Sequence, residues 1–180
     1  MYADDTLTPK EASRLCALGT LADGPMCYGE LASSIRHFIS HVLGPTLDLT
    51  GTSVELLKYE GLVMPIHGIG MENDPILAIT EAGQKALRML LTANLRATAT
   101  DLNKLITALK FRFLHLLDPT EQSLQVEALT EFTEMEQTRL IDLRQHHCDD
   151  AGYIHDWLNH EIGQLELRMA WLKNFRPQPA

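Results

Sequence analysis

The 180-residue chain is 45% hydrophobic and has a formal net charge of −9, so it can form one domain or two small ones with a substantial core. No apolar run approaches the roughly 20 residues of a membrane span, and the acidic N-terminus lacks a signal-peptide layout, so we expect a cytoplasmic protein with no membrane partner. Three widely spaced cysteines, Cys16, Cys27 and Cys148, argue against a disulfide framework or a zinc ribbon, and we expect buried or incidental thiols.

The first predicted helix has a strong start signal. Thr8 is placed as its N-cap, Pro9 at the first helical position and Glu11 at the third, which together form a capping box. The helix continues through the apolar residues 15–22. The sequence Asp-Gly-Pro at residues 23–25 then stops it.

Two more helices and a β-hairpin are predicted to follow. The second helix starts at about Glu30, and the third ends at Gly61, the natural left-handed cap. The chain then becomes extended, and residues 76–79 return as a strand after a Gly-rich tip. Thr80 opens the next helix. Three helices and a two-stranded wing predict a winged helix-turn-helix domain at residues 8–83.

The rest of the chain is predicted to be helical. Residues 84–117 contain neither Gly nor Pro, and their leucines recur near a 3.5-residue period, which predicts one long linking helix. Polar Asn94 and Thr98 interrupt its apolar seam. A second C-terminal helix runs from about Pro119 to Gln145. A third carries an apolar stripe from Ile154 through Leu158, Ile162, Leu165 and Met169 to Leu172.

These elements predict a mainly α fold. The winged helix is followed by a helical dimerisation region at residues 84–176, which begins with the long linking helix. Trp157 and Trp171 lie about four helical turns apart and therefore near one azimuth, beside the apolar stripe. Because two neighbouring faces of this helix are apolar, we expect it to contact a second copy of the chain. The predicted dimer interface comprises Leu91, Leu102, Leu109, Trp157, Leu165 and Trp171.

Four short segments form a pattern in order along the chain. They read Gly-Pro-Met-Cys-Tyr-Gly-Glu-Leu at 24–31, Glu-Gly-Leu-Val at 60–63, Ile-Thr-Glu-Ala-Gly at 79–83 and Glu-Leu-Arg-Met-Ala-Trp-Leu at 166–172. Together they resemble the PadR-like family of winged-helix transcription regulators. The resemblance implies a homodimer that reads a pseudo-palindromic site in double-stranded DNA. It also implies a repressor whose two winged helices change their relative angle when a small aromatic effector or a protein partner binds.

The start of the recognition helix departs from the family's usual Ser-Pro-Gly-Thr-Leu-Tyr. Counting back from Gly61, residues 46–51 read Thr-Leu-Asp-Leu-Thr-Gly, although a slip of one or two residues would let Gly51 and Thr52 take the Gly-Thr positions. Hydroxyl groups can bind phosphate or base edges. The expected DNA contacts are Tyr28, Thr46, Thr50, Thr52, Ser53, Lys58 and His67.

The charge of the chain leaves two functions open. Lys and Arg supply most non-specific affinity for DNA, yet residues 65–74 contain neither, and residues 10–89 carry six basic against nine acidic side chains. The leading hypothesis is a DNA-binding regulator. The alternative is a winged-helix protein that has lost DNA binding and serves as an acidic protein–protein interaction module. The sequence has no nucleotide-phosphate loop, no Gly-x-Ser-x-Gly and no His-Glu-x-x-His, so we do not expect an enzyme.

Two residue groups have weaker functional interpretations. His147 or Cys148 with His155 could bind a metal, but a helix end followed by an Asp cap explains the cluster at residues 146–150 more simply, and no metal or cofactor is expected. An apolar effector pocket is the second possibility, although such residues more often form core or dimer contacts. Its lining would comprise Phe111, Phe113, Trp157, Met169 and Trp171.

Overall fold

A computed structural model describes residues 6–43, 54–67, 74–95, 100–147 and 152–176. Within them the chain is mainly helical with one small antiparallel sheet, as predicted, and it divides into two compact units, Met1–Leu117 and Asp118–Ala180. None of the described helices is long and apolar enough to cross a membrane. The elements are α1 (Pro9–Ala22), β1 (Met26–Cys27), α2 (Tyr28–Leu43), α3 (Val54–Tyr59), β2 (Val63–His67), β3 (Ile76–Ile79), α4 (Glu81–Thr92), α5 (Thr100–Phe113), α6 (Pro119–His146) and α7 (Ile154–Asn174).

The start of α1 confirms the predicted capping box. The Glu11 backbone N–H donates to the Thr8 hydroxyl, and the Thr8 backbone N–H donates to Oε2 of Glu11 at 2.7 Å. These two bonds satisfy backbone donors that no helical carbonyl can reach. The helix then runs through the middle of the first unit, where α2, α4, α5 and β3 pack around it. Its residues from Leu15 to Leu21 are all buried.

The predicted hairpin is present, and a third strand joins it. β3 lies between β1 and β2, with Met26 opposite Leu77 and Val63 opposite Ile79. The sequence did not predict β1, because two residues are too few to show the alternation that identifies a strand. α2 follows at once and begins at Tyr28, slightly before the expected start. Three helices with this sheet are consistent with a winged helix.

The prediction of one long helix over residues 84–117 is wrong. α4 ends at Thr92, Ala93 is extended with φ −61° and ψ 150°, and α5 begins only at Thr100. Asn94 instead forms an isolated parallel bridge with Thr6. Thr and Asn are poor helix formers, and the absence of Gly and Pro does not by itself make a helix continuous. The polar interruption of the seam therefore marks a break in the helix.

A buried lysine contacts the end of α4. Lys110 of α5 is only 2% exposed, and its ammonium donates to the carbonyl oxygen of Leu91 at 2.5 Å. That carbonyl lies in the last turn of α4, where carbonyls lack helical partners and a positive charge is favoured by the helix dipole. Burial lowers the pKa of Lys110 from 10.5 to about 8.

This shift predicts a pH dependence of stability. Because the folded chain releases the Lys110 proton at a lower pH than the unfolded chain, the unfolded state binds more protons between about pH 8 and 10.5, and stability rises with pH in that window. Between pH 8 and 10 the wild type should gain about 2 kcal/mol relative to Lys110→Met, in which this group cannot titrate. Urea denaturation at several pH values measures the difference. Parallel pH profiles for the two proteins would contradict the assignment.

Both helices of residues 84–117 pack within the first unit. Leu91 and Leu109, which the sequence placed at the dimer interface, are 1% and 0% exposed and lie in the core of this unit. They are therefore not available to a partner in the folded chain, because their apolar surface is already covered by the chain itself. Leu102 is half-buried. The apolar seam of this stretch is explained by intramolecular packing.

The second unit consists of α6 and α7, which pack against each other. α6 begins at Pro119, as predicted, and Asp118 caps it, because the Asp118 carboxylate accepts the Glu121 backbone N–H at 3.0 Å. In α7 the predicted stripe is buried at Leu158, Ile162 and Leu172, the positions that recur at helical spacing. The predicted stripe is thus a packing face over most of its length.

Candidate nucleic-acid interface

Two backbone N–H groups at the N-terminus of α2 donate hydrogen bonds to the segment that precedes β3 of the wing. The Gly29 N–H donates to Oδ1 of Asp74 at 2.7 Å, and the Tyr28 N–H donates to the Pro75 carbonyl at 3.1 Å. Asp74 has a φ of 48°, in the left-handed region that Asp tolerates better than most residues. A carboxylate therefore occupies the position where the free N–H groups of a helix would otherwise attract a phosphate.

The short helix α3 buries one side and exposes the other. Val54 and Leu57 are buried, whereas Glu55 and Tyr59 are exposed, Tyr59 at 89%. Lys58 is half-buried and is the one basic residue of this helix. The exposed face therefore offers an aromatic ring and a carboxylate beside a single cation, a mixed surface with little attraction for phosphate.

An ion pair and a hydroxyl fix the end of α3 in the first unit. Arg14 of α1 pairs with Glu60, which neutralises one of the acidic groups near α3. Gly61 ends the helix with φ 73°, as predicted, and Thr80 donates through its hydroxyl to the Gly61 carbonyl at 2.7 Å. The Thr80 side chain also accepts the Gly83 N–H at 3.0 Å as the N-cap of α4. One threonine thus connects α3, the wing and α4.

The described part of the wing presents apolar rather than basic side chains. Met64 and Ile66 of β2 are 49% and 42% exposed, and His67 at the end of the strand is also exposed. The pairing of β2 with β3 shifts between Pro65 and His67, so the strand is irregular just before the tip. A wing that contacts DNA through phosphate charge would need cations, and the described strands contain neither Lys nor Arg.

The structure places three of the seven predicted DNA-contact residues. Tyr28 is the first residue of α2 and is half-buried, Lys58 lies on α3, and His67 ends β2. All three belong to the first unit. The other four, Thr46, Thr50, Thr52 and Ser53, lie outside the described residues, as does the hairpin tip at Gly68–Gly70.

Two connecting residues in this region escaped the sequence analysis. In the sequence, Asp74 and Arg14 contributed only to the number of charged side chains in residues 10–89. The Asp-Pro pair at 74–75 is a turn signal that could have marked Asp74 as a side chain bonding nearby backbone. No sequence signal identifies the pairing of Arg14 with Glu60, because the two residues are far apart in the chain.

The acidity of the chain is concentrated in the second unit. Residues 1–117 contain ten Lys and Arg against twelve Asp and Glu, a net charge of −2. Residues 118–180 contain five against twelve, a net charge of −7. The first unit is thus nearly neutral, and the electrostatic objection to DNA applies mainly to the second unit.

An open polar groove follows the outer side of α2. It has a volume of about 610 Å³ and contains both Glu30 and Asp74, so its carboxylates give it a negative character. It differs from the closed apolar pocket that an aromatic effector would need. The lining residues are Gly29, Glu30, Ser33, Ser34, His37 and Asp74.

The residues of the predicted effector pocket have different environments. Phe113 is fully buried in the first unit, where its ring lies against Gly19. In the second unit Trp157 and Trp171 are each 51% exposed on α7, and Leu165 and Met169 are half-buried. The tryptophans thus form part of an exposed apolar face of α7, together with Leu167.

The predicted metal cluster lies partly outside the described residues, which end at His147 and resume at Gly152. His146 Nδ1 contacts the Asp142 carbonyl at 2.8 Å, within one turn of its own helix. In the described part of the chain, no group of three or more His, Cys, Asp or Glu is placed to hold a metal ion. Cys16 is buried, as expected, and burial raises the pKa of its thiol to about 11.

Comparison with known proteins links this geometry to one protein family. A family model described as "Putative AphA-like transcriptional regulator" matches residues 2–176, which is nearly the whole chain. No curated protein matches the sequence. The match spans both units, so it covers the helices and sheet of the first unit together with the two helices of the second.

Proposed function

The chain belongs to the AphA-like family of transcriptional regulators, and from this we propose that it is a homodimeric, DNA-binding repressor with a PadR-like winged helix. The observation that best supports the proposal is the framework of the first unit. In it the end of α3, the wing and the start of α4 are joined through Thr80, and the wing is joined to α2 through Asp74. Such a framework holds α2, the end of α3 and the wing in a fixed arrangement, as groove reading requires.

The proposed DNA contacts combine hydroxyls with few charges. Thr46, Thr50, Thr52 and Ser53 would bond phosphate or base edges, and Lys58 would contact a phosphate. Tyr28, at the start of α2, and His67, at the end of β2, would contact the sugar–phosphate backbone of the DNA. With so few cations, non-specific affinity should be weak, and base contacts and shape should provide more of the specificity.

The proposed dimer forms through the C-terminal helices. Trp157, Leu165 and Trp171 remain available on α7, and half-buried Leu102 on α5 of the first unit is proposed as a separate dimer contact. Aromatic side chains are enriched in such interfaces because they bury a large area. Light scattering at micromolar concentration should give twice the chain mass, and Trp171→Glu should shift it toward the monomer mass.

Binding of duplex DNA is the direct test of the proposal. Fluorescence anisotropy with a duplex from the gene's own upstream region, titrated at several low salt concentrations, should show an affinity that falls as salt rises. Lys58→Ala should reduce the slope of log K against log salt by about 1, because one phosphate contact is lost. The matched control is Lys173→Ala, since Lys173 lies in the second unit and pairs with Glu134 at 2.8 Å. An unchanged slope in Lys58→Ala would remove this contact from the interface.

The second candidate is a winged-helix protein that binds a protein partner instead of DNA. Exposed Met64 and Ile66 on the wing, and the carboxylate of Asp74 at the start of α2, favour it. If the wild type shows no binding and no salt dependence even at low salt, this function replaces the first. The apolar face of α7 is then the other surface to which a partner could bind.

A repressor of this kind would need a signal that releases it. We propose that a small aromatic effector or a protein partner changes the angle between the two winged helices of the dimer. The half-buried Met169 and the half-exposed tryptophans of α7 supply apolar surface for such an effector. Addition of the true effector should weaken DNA binding without changing the mass of the dimer.

A further inference from the structure

Two histidines form a stacked pair on the exposed side of α2. His37 and His41 lie one helical turn apart, their ring centroids are 4.0 Å apart, and their planes are inclined by 28°. Both side chains are exposed. Among the eight histidines of the sequence, no other two have this spacing. Residues four apart lie on one helix face, so both imidazoles point to the same region of solvent.

The hydrogen bonding of His41 defines its tautomer. Its Nδ1 lies 2.7 Å from the carbonyl oxygen of His37. Because a carbonyl can only accept, Nδ1 must carry the hydrogen and donate it, and in the neutral ring the lone pair is then on Nε2. The Ser40 hydroxyl donates to the same carbonyl at 3.1 Å. A backbone carbonyl in this position also orients metal-binding histidines and makes the other nitrogen a better ligand.

We propose that His37 and His41 together bind a divalent transition-metal ion. Two imidazole nitrogens on one ion, each at about 2.0–2.1 Å, are separated by roughly 3–4 Å. The ring centroids are 4.0 Å apart, so both exposed side chains can reach one ion once they rotate out of the stack, which turns the in-plane lone pairs of their nitrogens toward each other. Neutral imidazole favours Zn²⁺, Ni²⁺ and Cu²⁺ over Mg²⁺ and Ca²⁺, which prefer oxygen ligands.

The surroundings of the pair favour a cation. His37 lines the open groove together with Glu30 and Asp74, whose carboxylates make the local potential negative. Waters would fill the remaining coordination positions, because the groove is open to solvent. The site is therefore an exchangeable one, unlike the closed four-ligand sites that hold structural zinc.

Metal binding at this position would stabilise α2. The ion would link two residues across its last turns, at the end of the helix that leads into residues 44–53, where the recognition contacts are proposed. A ligand that binds only the folded state raises stability in proportion to the logarithm of its concentration relative to Kd. The metal site would be present whether or not the chain binds DNA, because its ligands His37 and His41 both belong to α2.

Calorimetric titration of the full chain, purified without a histidine tag, with ZnCl₂ and NiCl₂ tests the site. The wild type should show one site whose affinity falls roughly tenfold or more in His37→Gln and in His41→Gln. The matched control is the double variant His155→Gln/His160→Gln, since both residues are exposed on α7 but five positions apart. It should retain the site.

Two further measurements distinguish ligation from a loss of folding. With CuCl₂, the electron paramagnetic resonance spectrum should show coupling to two nitrogens in the wild type and to fewer in either single variant. Excess ZnCl₂ should raise the Tm of the wild type but not that of His37→Gln/His41→Gln, whose Tm without metal should equal that of the wild type. Equal metal affinity in the wild type and the double variant, or loss of the site in the His155/His160 control, would overturn the proposal.

Discussion

We expect Gly83→Ala to lower the free energy of unfolding by about 3 kcal/mol. Gly83 lies in the first turn of α4, and a Cβ there would overlap the backbone carbonyl oxygen of Leu62 and also press on the Ile79 side chain. The carbonyl cannot move away freely, because it accepts the backbone N–H of Thr80 at 3.0 Å. The clash would separate α4 from the segment between α3 and β2, and thereby disturb the framework proposed for DNA reading.

The same substitution at Gly163 is the matched control. Gly163 lies within α7, and a Cβ there would meet no heavy atom within 4 Å. Gly163→Ala should therefore stabilise the chain, by up to about 1 kcal/mol, because alanine loses less backbone entropy in a helix than glycine. Urea unfolding followed by circular dichroism gives both values. If the two substitutions change the free energy of unfolding equally, the close contact at Gly83 does not cause the destabilisation by Gly83→Ala.

Phe113→Ala should lower the free energy of unfolding by a similar amount, about 3–5 kcal/mol. Phe113 is completely buried at the end of α5, and its ring lies against Gly19 of α1 while the Arg112 guanidinium lies 4.9 Å from the ring centroid. Removal of the ring would leave a cavity between the two helices. Phe175→Ala, which truncates a half-buried phenylalanine after α7, should cost much less.

A double-mutant cycle with Gly19 tests the contact itself. A Cβ at Gly19 would lie 2.5 Å from the Phe113 ring, so Gly19→Ala alone should cost about 1–3 kcal/mol through overpacking. In the Phe113→Ala background this clash is absent and the new methyl fills part of the cavity, so the same substitution should be neutral or stabilising. Additive effects in the cycle would show that the two positions do not interact.

The division of charge bears on both candidate functions. Since most of the excess negative charge belongs to residues 118–180, the net charge of −9 says little about the surface of the first unit. Near α3 and the described strands of the wing, however, cations are few, because Lys58 is the one basic residue of α3 and Arg14 pairs with Glu60. DNA binding by this chain would therefore have to rely on hydroxyls, shape and a small number of charges.

The local signals in the sequence identified most element boundaries. The capping box at Thr8, the Asp118 cap, the left-handed Gly61 and the cap at Thr80 all depend on residues within a few positions of each other. Such local chemistry is legible in a sequence because the interacting groups are close along the chain. The family resemblance of the sequence indicated a transcriptional regulator, and the match over residues 2–176 supports that function.

The errors arose where distant residues decide the outcome. The leucine period of residues 84–117 was correct as a pattern of burial but not as a continuous helix, because the Lys110 ammonium and the Thr6 bridge supply partners for a chain that turns away after Thr92. Leu91 and Leu109 were assigned to a dimer interface because a sequence cannot show which apolar surface covers another. The same limit hid the contact of Asp74 with α2.

The sequence by itself thus determined most helix starts and stops, the hairpin and the mainly α class, and its family resemblance indicated a transcriptional regulator. Only the tertiary structure decided that α4 and α5 belong to the first unit, that the wing is joined to α2 through Asp74, and that Gly83 and Gly19 must lack side chains. The physical reason is the range of the interactions. Caps and turns depend on neighbours in the chain, whereas burial, close packing and ion pairs depend on residues that meet only after folding.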